Sequence, residues 1–124
     1  MPRANKLNRG RKLAETYGCF GCHKTAEQFG GENHWKAGPS LEHVGSKLDP
    51  KWIERWLQNP KTFRHSTPMP QIFNLSNTSS AEDKERNLAA IHSCAAYFIK
   101  NSETVELEKP KTPGDKTRGE KLVK

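Results

Sequence analysis

The sequence predicts an all-α domain: three main helices joined by long loops. Three observations predict it. Apolar residues recur at helical spacing in three segments, and no segment alternates as a strand would. Only 32% of residues are hydrophobic and mean hydropathy is −0.94, so a bare chain of 124 residues would build a thin core. Residues 19–23 read Cys19-Phe20-Gly21-Cys22-His23, a C-x-x-C-H pattern that tethers a flat apolar cofactor and so supplies core surface the chain lacks.

The first helix runs from about Asn8 to Tyr17. Asn8 can cap it, and Leu13, Ala14 and Tyr17 fall on one face. Gly10 is a poor helix former, which suggests close packing of backbone at that point.

The C-x-x-C-H pattern follows directly. Its two thiols can add across the two vinyl groups of one haem, giving two thioether bonds. The adjacent His23 can then supply an imidazole nitrogen to the iron. A redox dithiol would want a preceding strand and a βαβ context, and a zinc site would want a second close ligand pair. A plain disulfide would not need the histidine.

The second helix opens at Asp49-Pro50, a good cap followed by a proline suited to the first helical position. Trp52, Ile53, Trp56 and Leu57 form its apolar face, and Asn59-Pro60 stops it. The third runs from about Ser80 to Asn101. Ser79 and Glu82 have capping-box spacing, and Leu88, Ile91, Ala95, Phe98 and Ile99 form a core stripe. Residues 24–47 and 61–78 read as loops, an unusual length that a chain wrapped round a cofactor can accommodate. After Glu103 the sequence turns rich in Pro, Lys and Glu, and reads as a linker. The expected division is an N-terminal extension at 1–7, a domain at 8–103 and a linker at 104–124.

The net charge of +7 sits mostly at the ends. Residues 1–17 carry five basic side chains against one acidic, residues 18–104 ten against nine, and residues 105–124 six against four. No basic strip interleaved with aromatics is present, which argues against nucleic-acid binding. No apolar run is long enough to span a membrane, and the N-terminus has no apolar signal stretch.

Haem iron has a second axial position. The candidates are Met69, Met1, His34, His43, His65 and His92. Met69 leads, because Thr67-Pro68-Met69-Pro70 holds a thioether between two prolines that restrict the backbone. A soft, neutral sulfur suits ferrous iron and raises the reduction potential relative to two histidines. His65 ranks next and an open position last. His92 reads as a partly buried packing residue within the last helix, and His43 as a neighbour of the Gly38-Pro39 turn.

Taken in order, Cys19-Phe20-Gly21-Cys22-His23, Gly38-Pro39-Ser40-Leu41 and Thr67-Pro68-Met69-Pro70 resemble the class I c-type cytochromes, of the bacterial single-haem-domain kind, over about Asn8 to Asn101. The resemblance implies the cytochrome c fold around one covalent haem c, with His23 and Met69 as the iron ligands. It implies that the Pro39 carbonyl accepts a hydrogen bond from His23 and fixes its tautomer. Gly10 against Tyr97 or Phe98 would supply the helix crossing. Trp52, Trp56 and Arg64 are candidates to hold the haem propionates, with core packing the competing reading for both tryptophans. Cys94 departs from the pattern and is most simply a small buried hydrophobe. The segment 25–37 matches no motif.

The implied function is electron transfer, the iron cycling between Fe(III) and Fe(II), with no small-molecule substrate at the metal. No catalytic set is recognisable. Expected partners are redox proteins with acidic docking surfaces. Haem attachment of this type implies the bacterial periplasm, or the outer face of the cytoplasmic membrane, with a targeting segment outside the sequence. A haem-based gas sensor, or an electron-entry module of a larger redox enzyme, are the alternatives. Finally, Arg9-Gly10-Arg11-Lys12-Leu13 recurs loosely as Arg118-Gly119-Glu120-Lys121-Leu122. The repeat is expected to mark the approach to a second haem domain, against a chance match in a Lys-rich tail.

Overall fold

A computed structural model describes residues 2–25, 36–75, 80–109 and 112–123. Its elements are α1 (Pro2–Thr16), α2 (Cys19–Cys22), α3 (Val44–Lys47), α4 (Pro50–Gln58), α5 (Pro60–Phe63), α6 (Ala81–Lys100) and α7 (Lys116–Leu122). The described residues include no strand, so the all-α expectation holds at the level of class. None of these helices is long and apolar enough to cross a membrane.

Helix α1 begins earlier than its sequence suggests. Asn8 lies in mid-helix rather than at the cap, and residues 2–7 form the first turns of the same helix. Pro2 occupies the first position, where a missing N–H costs nothing, and Lys6 and Leu7 are good helix formers.

Helix α4 forms as its sequence predicts. The Asp49 side chain accepts from Lys51 N at 2.9 Å and Trp52 N at 3.2 Å, with Pro50 first in the helix. Asn59 ends α4 in an extended conformation and immediately caps α5, accepting from Lys61 N at 3.1 Å. One Asn-Pro pair therefore stops one helix and starts the next, which puts a helical turn where a loop was expected.

The capping box of α6 lies one residue beyond the expected one. Ser80 caps the helix and Asp83 closes the box, accepting from Ser80 N at 2.9 Å and from its hydroxyl at 2.8 Å. Glu82 is not its partner, and Ser79 lies outside the described residues.

The core forms where α6 meets α1 and α4. Ile91, Cys94, Ala95 and Phe98 of α6 are buried, with Ala14 of α1 and Ile53 and Leu57 of α4. Leu88 departs from the expected stripe and is 43% exposed. The buried face of α6 also takes in Ala90, Ser93 and Tyr97 and is centred on Cys94. Leu88 lies about 120° round the helix from that centre.

Gly10 fixes how α1 crosses α6. A Cβ there would lie 2.1 Å from Ser93 O and 2.8 Å from Tyr97 Cβ, so the two backbones meet without a side chain between them. The Cys94 thiol donates to Gly10 O at 3.8 Å within the same contact. Residues 102–105 are tied to the α3 region: Glu103 N donates to Glu42 O at 2.7 Å and Val105 N to Ser46 Oγ at 3.2 Å. Helix α7 follows, capped by Asp115, and a Cβ on Gly119 would meet nothing within 4 Å.

Gly10→Val is therefore expected to destabilise the protein by about 3 kcal/mol, because the crossing must open. Gly119→Ala, in the matching place of the repeat, is expected to leave the unfolding midpoint unchanged. Thermal unfolding of the two variants checks this pair.

Asp83 supplies a pH prediction. Its carboxyl is held below the ordinary carboxylate range, first by the Ser80 N–H, then by the Ser80 hydroxyl and Arg86. The stabilisation is complete above the unfolded value of about 3.9 and is lost as pH falls through the depressed folded value. Asp83→Asn is expected to flatten the acid limb of a helicity titration below about pH 4.

Candidate functional site

The C-x-x-C-H segment forms a helical turn of its own. Tyr17 N and Gly18 N close the end of α1 on Leu13 O and Glu15 O. Gly18 then takes φ 74°, a left-handed conformation suited to glycine, and the chain restarts as α2. His23 N donates to Cys19 O at 2.9 Å, after which His23 leaves the helix in extended conformation. Cys19 and Cys22, three apart on one turn, therefore share a face. Phe20 anchors the turn, meeting Tyr97 and Phe98 edge-on at 6.2 and 6.4 Å.

A second segment runs alongside and holds the histidine. Gly38 N donates to Cys22 O at 2.8 Å, and Leu41 N to Lys24 O at 2.7 Å. Between them, His23 Nδ1 lies 2.7 Å from Pro39 O, the contact that the family resemblance implies. A carbonyl can only accept, so Nδ1 carries a proton; in the neutral imidazole this tautomer leaves the Nε2 lone pair for a metal. Gly38 is required by contact: a Cβ would sit 2.6 Å from His23 Cε1 and 2.9 Å from Cys22 O. Lys24 and Glu42 clasp the same two segments at 3.2 Å. That cation, followed by Ser40, holds the Glu42 carboxyl below its ordinary range.

Met69 lies beside an aromatic stack. Trp52 and Trp56 stack at 5.1 Å with 18° between planes, and Phe63 of α5 tilts against both at 5.7 and 6.1 Å. The Trp56 indole donates from Nε1 to Met69 Sδ at 3.0 Å. Met69 N in turn donates to Thr67 Oγ1 at 3.3 Å, within the Thr-Pro-Met-Pro segment. Trp56 is thus bonded to the thioether, a role its sequence position did not announce. The available signal was the Trp52/Trp56 spacing of four, which stacks the indoles, together with the need of a half-buried indole N–H for an acceptor.

The other candidates are placed differently. His43 Nδ1 faces Glu103 O at 3.3 Å. His92 is not a packing residue: half exposed, it pairs with Glu54 of α4 at 2.6 Å. His65 and Arg64 are exposed, and Trp52 contributes its ring to the stack. Met1 and His34 lie outside the described residues.

All three cysteines are free. Burial pushes the Cys94 thiol up to about 12, with Cys19 adding to the shift. Burial also raises Cys19, against a hydrogen bond that lowers it. Cys94 is 1% exposed at the helix crossing, as expected for a small hydrophobe. Cys22 is exposed.

No family model and no curated protein matches this chain. Among the described residues, no three His, Cys, Asp or Glu side chains gather as a metal cluster. The candidate donors fall in two places: two thiols and an imidazole within residues 19–23, and a thioether beside Trp56. Thiols, an imidazole and a thioether are donor types that would tether and ligate a haem iron.

Gly38→Val is expected to cost about 1–3 kcal/mol and to expel the His23 ring from its carbonyl. Pro39→Ala retains that carbonyl and is expected to keep the bond. The exchange-protected Nδ1 proton of His23, followed by NMR, reads both. A protected proton in Gly38→Val at parental stability would contradict the assignment.

Proposed function

We propose that the chain is an electron-transfer domain of the class I c-type cytochrome kind, with the cytochrome c fold. Cys19 and Cys22 tether one haem c through thioethers, and His23 and Met69 supply the two axial donors. The observation that carries this reading is the state of His23. Its Nδ1 is committed to Pro39 O at 2.7 Å, its Nε2 has no hydrogen-bond partner among the described residues, and two thiols share the turn before it.

When bound, the haem supplies a one-electron Fe(III)/Fe(II) couple. The chain does the rest. Pro39 O orients the imidazole and increases its donor strength. The prolines around Met69 restrict the thioether, so the same donors serve both oxidation states with little rearrangement. Phe20, Tyr97 and Phe98 offer apolar contact beside the attachment turn.

The excess of basic residues favours acidic redox partners, docked outside the cytoplasm in a bacterial host. Helix α7 carries the second Arg-Gly-x-Lys-Leu pattern as α1 carries the first, which supports a linker leading toward another domain of the same kind.

The test is carbon monoxide binding to the reduced, haem-loaded chain. A visible spectrum that barely changes is expected, because the sixth position is held. Met69→Ala is expected to bind the gas promptly. Prompt binding by the parent protein would remove Met69 as a firm ligand and move the reading to a gas sensor or an enzyme module.

A further inference from the structure

His23 and Pro39 are 16 positions apart in sequence, so the chain between them does little to keep them together. Two backbone bonds, Gly38 N to Cys22 O and Leu41 N to Lys24 O, lie on either side of their contact. Glu42 adds a side-chain bridge between the same segments. Its Oε1 lies 3.2 Å from Lys24 Nζ, and its Oε2 accepts from the Ser40 hydroxyl at 3.0 Å. Lys24 directly follows His23, and Ser40 directly follows Pro39. Glu42 is itself well anchored. Its N–H donates to Ser40 Oγ at 3.2 Å, and its carbonyl accepts from Glu103 N at 2.7 Å. The Ser46 hydroxyl donates to Glu103 O at 3.1 Å, and Gly45 N donates to Ser102 Oγ at 2.9 Å. The chain leaving α6 therefore backs the segment that carries Glu42.

We propose that Glu42 is a positioning residue of the His23 imidazole: its carboxylate ties Lys24 to Ser40 and so keeps the ring Nδ1 on the Pro39 carbonyl. This rests on the reading of His23 as an axial donor to haem iron. The hydrogen bond at Nδ1 sets the plane of the ring and the donor strength of Nε2. A looser contact between the two segments lengthens that bond and weakens the donor. The Lys24 and Glu42 side chains are each only 23% exposed, and a hydroxyl occupies the second carboxylate oxygen. Such a pair is better ordered than a lone ion pair in open solvent.

The experiment records the His23 Nδ1 proton by NMR in the reduced, haem-loaded full chain. Its chemical shift reads the strength of the hydrogen bond, and its exchange rate reads how often the bond opens. Glu42→Gln and Lys24→Met each break the ion pair but change the local charge in opposite senses. Both are expected to move the resonance upfield and to speed its exchange about threefold, within the range of a partly exposed ion pair. The double variant Lys24→Glu/Glu42→Lys restores the pair with its ends exchanged, and is expected to return both readings toward the parent. An unmoved resonance in the two single variants overturns the proposal and leaves His23 an axial donor, even where exchange is faster, because lost stability alone would speed exchange. Shifts of opposite sign show a through-space effect of charge and overturn it too. So does a double variant no closer to the parent than the single ones. A parent chain that attaches no haem overturns both the proposal and the reading on which it rests. Should Lys24→Met fail to attach haem, Lys24→Gln takes its place.

Discussion

The close approach of α1 and α6 at Gly10 is the constraint on which the rest depends. With no side chain at that point, the α1 backbone reaches Ser93 and Tyr97 directly. The end of α1 is thereby fixed against the aromatic part of α6. The left-handed Gly18 hands that position on to α2, and Phe20 locks the new turn between Tyr97 and Phe98. Cys19, Cys22 and His23 are thus placed by a helix crossing formed by residues eight or more positions away. Cys94, buried in the crossing with its thiol pushed up to about 12, belongs to this packing rather than to the Cys19–Cys22 turn.

Two different devices hold the two candidate iron donors. The imidazole is held by backbone: three hydrogen bonds join residues 22–24 to residues 38–41, and Gly38 lets the strands of chain close on the ring. The thioether is held by the Trp56 indole, itself stacked on Trp52, and by two flanking prolines that restrict its backbone. The first is a rigid mount for a strong donor. The second rests on a hydrogen bond from the Trp56 nitrogen to the sulfur.

Much of this was legible in the sequence where local chemistry decides the structure. Asp49-Pro50 starts α4, and Gly10 marks a helix contact, because a cap and a missing Cβ act whatever surrounds them. The failures came where two local solutions compete or where distant residues decide. Ser79 and Ser80 offer the same cap chemistry, and Asp83 rather than Glu82 closes the box. Asn59-Pro60 read as a stop, although the same pair also meets the requirements of a start. Leu88 kept the right period on the wrong side, because the buried face is centred by α1 packing on Cys94. The pairing of Trp56 with Met69 joins residues thirteen apart through a loop, and no periodicity reports it.

The central claim is that Cys19 and Cys22 carry a covalent haem. Its most direct test is the intact mass of the chain produced in a bacterial host that exports it and attaches haem. The account predicts a mass increased by one haem, retained in denaturant, with fragmentation placing it on the peptide holding Cys19, Cys22 and His23. An unmodified mass, with these cysteines recovered as free thiols or as a disulfide, would contradict it.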